Sequence, residues 1–276
     1  MTAVDVIEKV DGGREKLLTT LGQSLNIVGQ DVENIRNWFA KQPHLPEIPD
    51  YVVIERFLIM SKFYVETVKI KLDMYYTVRS LLPEFYNQHP CSDAARAVEN
   101  VVYLILMPRL SPSLNRIICW KLKDTNPDNF DAVPFFSYLL NLVEIRVRED
   151  VSATDTYICD LEGFTFNHMI KFTPMVLKKL KFISEKVFTI RSKQIYILNA
   201  PSFVDTLISL LSKYVKPKLI KRIVVCKNLW VTKFEESKLL FDHLMSLRVD
   251  ESLRLGKPLD NDVLGIQGNF RQLVID

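Results

Sequence analysis

The chain contains the stretch CDLEGF at residues 159–164 and the stretch IYILNAPSF at residues 195–203. In each stretch, a short apolar run gives way to a polar turn that contains Gly or Pro. A longer amphipathic segment follows each turn, over residues 166–187 and 202–214. Runs of strand length that alternate with helical segments of about ten residues or more predict strand–turn–helix units with parallel strand pairs.

The same pattern extends to both sides of these stretches. Short apolar or β-branched runs lie at residues 101–106, 117–122, 156–159, 194–198 and 222–226. A further amphipathic segment, residues 133–147, lies between the second and third of these runs. The pattern therefore predicts an α/β domain with parallel strand pairs over residues 91–248; the mixed sheet that we also expect there is what the family resemblance described below implies.

The residues before about position 90 show helical periodicity and no strand-like run. In residues 31–42 the apolar side chains recur at helical spacing until three prolines end the segment. Asp50 is placed to cap a second helix, and a third ends at Pro83. The sequence predicts an all-helical module over residues 1–90, and an irregular tail over residues 249–276 that packs on the α/β domain.

The composition indicates a folded protein, since 48% of the 276 residues are hydrophobic and 25% are charged. No apolar run approaches the roughly 18 residues that cross a bilayer. Acidic residues among the first twenty argue against a secretory signal or transit peptide. The four cysteines lie far apart without CxxC spacing, as expected in a reducing compartment. These features predict a cytoplasmic protein, which we expect to be monomeric.

Charge is distributed unevenly along the chain, although the net charge is only +3. Residues 168–233 hold 14 Lys and Arg against two acidic residues, Glu185 and Asp205. Such a basic region predicts an anionic partner, either nucleic acid or a membrane surface. Because basic and aromatic residues do not alternate as in nucleic-acid readers, the membrane is favoured and no nucleic-acid partner is expected.

The sequence contains no recognisable catalytic motif. It lacks a P-loop, GxGxxG, GxSxG and HExxH, and its four histidines are not at metal-ligand spacing. Asp160 and Glu162 could form a carboxylate pair, but carboxylates at a strand end more often cap a helix or hold a turn, here at Gly163. We therefore expect no enzymatic activity, no catalytic residues, no metal and no cofactor.

Several ordered segments carry a family resemblance. They are RFL at residues 56–58, KF at 62–63, DLEG at 160–163, FTP at 172–174, IRSK at 190–193 and NAPSF at 199–203. Together they resemble the CRAL-TRIO family of lipid-binding and transfer proteins over roughly residues 30–245. The tail from Asp250 is similar to that of insect members. Thr189 replaces a common proline, and the glycine pair often found after the last domain helix is absent near residues 247–253.

The resemblance implies a sheet floor, flanking helices and a mobile gate helix over a hydrophobic pocket that holds one lipid. The gate would be residues 202–214, whose apolar residues cover enough of the helix to require burial on two sides; a core helix is the alternative. Ser137 and Asn141 share a helix face, where they would bind a polar ligand group or face solvent. By resemblance to tocopherol-binding members, with one gate residue added, the pocket comprises Ser137, Asn141, Cys159, Ile183, Ile195, Val204, Leu207, Ile208 and Leu211.

The family's cluster for phosphatidylinositol phosphates falls on basic residues here, although a solvated surface is the alternative. These residues are Arg191, Lys193, Lys218, Lys221 and Arg222. The resemblance implies a cytoplasmic, transiently membrane-bound protein that moves a tocopherol-, retinoid-, carotenoid- or phospholipid-like molecule between membranes. The alternative is a lipid-sensing scaffold that reports its ligand status to a protein partner.

Overall fold

The computed structural model describes residues 7–226 and 236–246. Its N-terminal part is helical, as predicted, and contains α1 (Gly13–Thr20), α2 (Leu25–Phe39), α3 (Tyr51–Met60), α4 (Val65–Leu81), α5 (Pro83–Tyr86) and α6 (Asp93–Val101). Ser24 caps α2 by accepting a hydrogen bond from the Ile27 backbone. The helix α3 begins after Asp50 as expected, but the Asp50 side chain accepts no capping hydrogen bond.

A five-stranded sheet follows the helices, with its strands in the order of the chain. They are β1 (Val102–Leu106), β2 (Asn115–Leu122), β3 (Thr154–Asp160), β4 (Ser192–Leu198) and β5 (Ile223–Val225). The pair β1–β2 is antiparallel and the other three pairs are parallel, so the prediction of a mixed sheet is confirmed.

The helices that connect the parallel strands cover one face of the sheet. They are α7 (Ala132–Glu149), α8 (Phe166–Lys171), α9 (Pro174–Lys186), α10 (Val204–Ser212) and α11 (Pro217–Ile220); residues Pro127–Asn129 form a short 3₁₀ turn. Right-handed crossovers between successive neighbours place all such helices on the same side. Burial agrees, because Ile118 and Ile197 are buried on one face, whereas Ile105 and Tyr196 are exposed on the other.

The amphipathic segment 166–187 is two helices rather than one. The chain leaves helical geometry at Phe172 and Thr173, and α9 restarts with Pro174 in its first turn. A residue before proline is sterically disfavoured in the α conformation, whereas proline itself fits the first helical turn. The Thr173 side chain then caps α9 by accepting a hydrogen bond from the Val176 backbone.

The helical part packs firmly against the sheet domain. The ring of Phe57 on α3 lies 5.9 Å from that of Phe188, just before β4. The ammonium of Lys71 on α4 donates to the carbonyls of Glu185 and Val187, where α9 ends, and to the hydroxyl of Thr189. These contacts hold the segment that leads into β4 against the N-terminal helices.

The described residues belong to two compact units, the first of which ends at Lys227. The second unit contributes α12 (Lys238–Ser246), which carries exposed Leu239 and Met245. Among the helices of the described ranges, none is long and apolar enough to span a bilayer. The expected domain limits at residues 90 and 91 stay a prediction, and the expected tail over residues 249–276 lies outside the described residues.

Candidate functional site

The floor of the expected pocket is formed by neighbouring positions of β3 and β4. Tyr157 pairs with Ile195 and Cys159 pairs with Ile197, so these four side chains share the helix-covered face of the sheet. Burial raises the pKa of the Cys159 thiol to about 11, which keeps it neutral at physiological pH. Cys159 and Ile195 are therefore diagonal neighbours on this face of the sheet.

The polar turns after β3 and β4 are tied together by one carboxylate. Asp160 accepts hydrogen bonds from the Asn199 side chain at 2.8 Å and the Glu162 backbone at 3.0 Å. Burial raises the pKa of Asp160, but these hydrogen bonds and Lys121 outweigh that effect and leave it below its ordinary value. Asp160 thus holds together the two turns that precede α8 and α10. This is a turn-holding role, as expected for a carboxylate at a strand end.

The expected gate contains α10, which follows the β4 turn. Val204 and Leu207 are buried, whereas Ile208 and Leu211 are half-buried and pack against the same core. Ile183 on α9 is buried in that core as well. The structure therefore brings the α9 and α10 members of the predicted pocket into one hydrophobic cluster.

The two polar pocket residues predicted on α7 have a different environment. The hydroxyl of Ser137 is buried and donates to the Phe85 carbonyl of α5 at 2.6 Å. Asn141, four residues further along α7, is half-buried. The Ser137 proton is already used inside the protein, so a ligand could meet this hydroxyl only as an acceptor. The expected solvent-facing alternative does not describe Ser137, which is buried, and its place in the ligand pocket stays a prediction.

An apolar cavity of about 220 Å³ lies at the start of α7. Its walls come from α6, β1, the 3₁₀ turn and the start of α7, and include Val98, Val101, Val102, Phe130 and Phe135. No residue of the predicted pocket lines it. Its volume is below the roughly 300 Å³ at which ligand pockets usually begin. Apolar residues of α6 line this cavity, but helical periodicity cannot distinguish residues that line a cavity from residues that pack in the core.

A buried histidine stands beside this cavity. His168 lies 5.8 Å from the cavity residue Phe130 and stacks on Phe164 at 5.3 Å, measured between ring centroids. Burial lowers the pKa of His168, so the ring is neutral. Because its Nδ1 accepts from the Thr165 backbone, the proton is assigned to Nε2, which has no partner among the described residues. One unused donor thus lies near an apolar cavity.

Exposed apolar side chains cluster on α8 and the start of α9. Phe166, Ile170 and Met175 are between 53% and 61% exposed. We call these three residues the apolar patch. It adjoins the gate, because the Phe166 ring lies 5.9 Å from that of Phe203, which immediately precedes α10. These side chains are available to contact an apolar surface beside the gate.

The predicted basic residues gather at the starts of β4 and β5, and α10 runs between them and the apolar patch. Lys193, Lys218 and Lys221 are exposed; we call them the lysine cluster. The two arginines are partly engaged inside the protein, since Arg191 donates to the Ile59 carbonyl at 2.6 Å and Arg222 donates to the Ser192 carbonyl. The three lysines are therefore more accessible to an outside anion than the two arginines, which are half-buried.

Comparison with known proteins matches two family models to separate parts of the chain. The CRAL/TRIO domain model matches residues 103–240, and a Pinta-like UBA domain model matches residues 26–95. An α-tocopherol transfer protein-like protein of Mus musculus is 24% identical over 70% of this chain and 57% of its own length. Clavesin-1 of Pongo abelii is 23% identical over 78% of this chain and 62% of its own length.

Two further similarities are reported, one to a relative that matches a shorter part of the chain and one to a solved structure. A CRAL-TRIO domain-containing protein of Dictyostelium discoideum is 40% identical over 42% of this chain and 48% of its own length. The crystal structure of Sfh5 matches with a TM-score of 0.45 at 16% identity, over 66% of this chain and 68% of that one. The chain thus spans little more than half the length of the tocopherol transfer protein-like relative.

Proposed function

The chain belongs to the CRAL/TRIO family, and from this premise we propose that it binds one hydrophobic lipid and carries it between membranes. The match of the family model to residues 103–240 is the observation that carries this proposal. Proteins of this family generally bind and transfer lipids without catalysing a reaction. In this proposal the chain needs no cofactor and acts as a cytoplasmic monomer that meets membranes transiently.

The proposed cargo site lies between the sheet and α10. Val204 and Leu207 of α10 are buried against the core, so a lipid enters this site only if α10 moves away from the sheet. The half-buried Ile208 and Leu211 are the gate residues that such a movement frees most easily. Burial of the cargo would stabilise the complex by roughly 25 cal/mol per Å² of apolar surface.

We propose that His168 orients a polar group of the cargo. Its assigned Nε2–H is buried without an acceptor among the described residues, and a carbonyl or hydroxyl oxygen on a ligand would satisfy it. This position lies next to the cavity residue Phe130 rather than beside Ser137. Retinoids, tocopherols and carotenoids with an oxygen atom at one end all fit this description, whereas a pure hydrocarbon does not.

Docking to a membrane would use both ends of α10. The apolar patch would enter the lipid at one end, and the lysine cluster would contact anionic headgroups, including phosphatidylinositol phosphates, at the other. A helix of nine residues is about 14 Å long, so both surfaces can meet one bilayer at the same time. Each lysine near an anionic leaflet adds on the order of 1 kcal/mol, which salt weakens.

Native mass spectrometry after expression, combined with lipid extraction, tests the cargo part of the proposal. We expect one hydrophobic molecule per chain, which fluorescent lipid analogues displace. A chain that stays empty and takes up none of the tocopherol, retinoid, carotenoid or phospholipid probes contradicts the proposal. The alternative function, a lipid sensor, predicts binding of the same probes without movement from donor to acceptor vesicles, so a transfer assay separates the two.

A further inference from the structure

The apolar cavity at the start of α7 is separate from the proposed cargo site. Residues of α6, β1, the 3₁₀ turn and α7 form its walls, and none of them belongs to the predicted lipid pocket. Three of the lining residues, Ala97, Asn129 and Asp131, are exposed, whereas Phe130 and Phe135 are buried. The cavity therefore has an apolar interior and a mouth that opens to solvent.

The volume of this cavity limits the size of a molecule that can enter it. A dry apolar cavity of roughly 150 Å³, engineered into another protein, takes up benzene. The cavity at the start of α7 has a volume of about 220 Å³, which leaves room for one six-membered ring and a short side chain. A whole tocopherol or phospholipid does not fit. The cavity thus suits a small molecule with a single ring.

The walls of the cavity provide contacts for an aromatic ring. The rings of Phe130 and Phe135 lie 5.5 Å apart, tilted by 48°. Aromatic rings prefer tilted or offset neighbours at centroid distances of roughly 4.5–7 Å, so a third ring can pack beside these two. Val98 and Val101 of α6 provide branched apolar side chains to the same cavity. The interior therefore favours a flat apolar group.

The mouth carries a carboxylate with an unused acceptor. Asp131 caps α7, and its Oδ1 accepts a hydrogen bond from the Val133 backbone at 2.9 Å. Within residues 7–226 and 236–246, the Oδ2 of Asp131 accepts no hydrogen bond and Asp131 forms no ion pair. As the helix cap, Asp131 also offsets the positive end of the α7 dipole. Asp128 adds a second exposed carboxylate in the adjoining 3₁₀ turn.

The basic residues closest in sequence do not cancel this negative charge. The ammonium of Lys123 donates to the Glu99 carbonyl and lies 5.5 Å from the centre of the Tyr103 ring. Arg96 is on the opposite side of α6 from the residues that line the cavity, about 150° around the helix axis. The mouth therefore favours a ligand group that is positively charged and donates hydrogen bonds.

We propose that this cavity binds a small arylalkylamine, a molecule with one aromatic ring and an ammonium group on a short chain. The ring would pack against Phe130 and Phe135, and the ammonium would donate to the Oδ2 of Asp131. Apolar walls with a few placed polar groups are the usual composition of a small-molecule site. This inference goes beyond lipid carriage and does not depend on it, so the chain without lipid cargo is sufficient for the test.

NMR titration of the whole chain with 2-phenylethylamine, which is protonated at neutral pH, tests the proposal. Two probes of similar size separate the effect of charge, since 2-phenylethanol is neutral and 3-phenylpropionate is negative. We expect saturable binding of the amine, with an affinity about 2- to 5-fold higher than that of the alcohol, as one exposed ion pair provides. The acid should bind more weakly than both.

Two variants with matched controls locate the site. Ala97→Leu narrows the mouth and should weaken binding of the amine at least about 4-fold, the effect of one ring carbon kept out of the cavity. Ala40→Leu changes an exposed alanine at the end of α2 and should have no effect. Asp131→Asn keeps a capping side chain but should abolish the preference for the amine over the alcohol. Asp50→Asn, at the exposed residue before α3, should retain that preference.

Three results would overturn the proposal. The first is the absence of saturable amine binding up to about 10 mM. The second is equal binding by Ala97→Leu and the wild type, which would place the ring elsewhere; if Ala97→Leu fails to fold, unchanged amide shifts around Phe130 during the titration decide the same point. The third is an amine that binds no more tightly than the alcohol, or a preference that survives in Asp131→Asn. None of these results depends on whether a lipid cargo is found.

Discussion

Replacement of Ile170 by serine tests whether the apolar patch enters lipid. Ile170 is 55% exposed, so roughly half of its apolar surface is still in water before docking. Full burial of such a side chain contributes about 1.5–3 kcal/mol, and the exposed half therefore contributes about 0.8–1.6 kcal/mol on insertion. Ile170→Ser should weaken vesicle binding by about 4- to 16-fold.

The chain offers a matched control on a different surface. Ile70 on α4 is 66% exposed, and Ile70→Ser removes the same side chain from a helix of the N-terminal part. Co-sedimentation with phosphatidylcholine vesicles at high salt isolates the apolar contribution, because charge attraction is then screened. We expect Ile70→Ser to bind as the wild type does and both variants to unfold at similar temperatures.

Two results would refute this reasoning. Equal losses for Ile170→Ser and Ile70→Ser would mean that any exposed isoleucine has this effect. Unchanged binding of Ile170→Ser would mean that the apolar patch stays outside the lipid. Phe166→Ser extends the test, since its ring is 53% exposed and in contact with Phe203 beside the gate. The double variant should lose more than either single variant if both side chains insert together.

Three further predictions concern charge, hydrogen bonding and pH. Lys218→Glu together with Lys221→Glu should slow lipid transfer to anionic vesicles at least 10-fold at low salt and leave cargo binding in solution unchanged; equal transfer rates would exclude the lysine cluster from docking. Ser137→Ala should lower the free energy of unfolding by about 1–3 kcal/mol, because the buried Phe85 carbonyl loses its donor. Chemical denaturation measures this loss, and fluorescence titration should show an unchanged affinity for a polar lipid. A selective loss of that affinity would place Ser137 in the pocket. Burial lowers the pKa of Lys71 to about 8. Between about pH 8 and 10.4 the unfolded chain therefore binds more protons than the folded chain, and the free energy of unfolding rises with pH. Lys71→Met should remove this rise; the same change in the free energy of unfolding from pH 7 to pH 10 in both proteins would contradict it.

The order and type of most elements could be predicted because their signals are local. Each apolar run of strand length became a strand, and the prolines before α3 and at the start of α5 mark real helix limits. The division between α8 and α9 was equally local, since Pro174 is visible in the sequence. The apolar periodicity nevertheless continues across this break, so periodicity alone predicts a single helix there.

The environment of individual site residues depends on contacts that are distant in the chain. Ser137 donates to a carbonyl 52 residues away, and Arg191 donates to one 132 residues away. No spacing within α7 or β4 contains that information. The pocket positions and the phosphoinositide positions carried over from the family remain predictions, and Arg191 and Arg222 are half-buried rather than fully exposed.

The sheet order described above has a consequence for how the chain is made. Because each strand pairs with the strand before it in the sequence, every new strand can dock as soon as the ribosome releases it. No strand has to be inserted between two that are already paired, so each addition closes only the one helical connection that precedes it. We expect nascent chains that end just after β3 or β4 to be partly folded, each presenting its newest strand as an open edge. That edge is the part of an unfinished chain most in need of a chaperone.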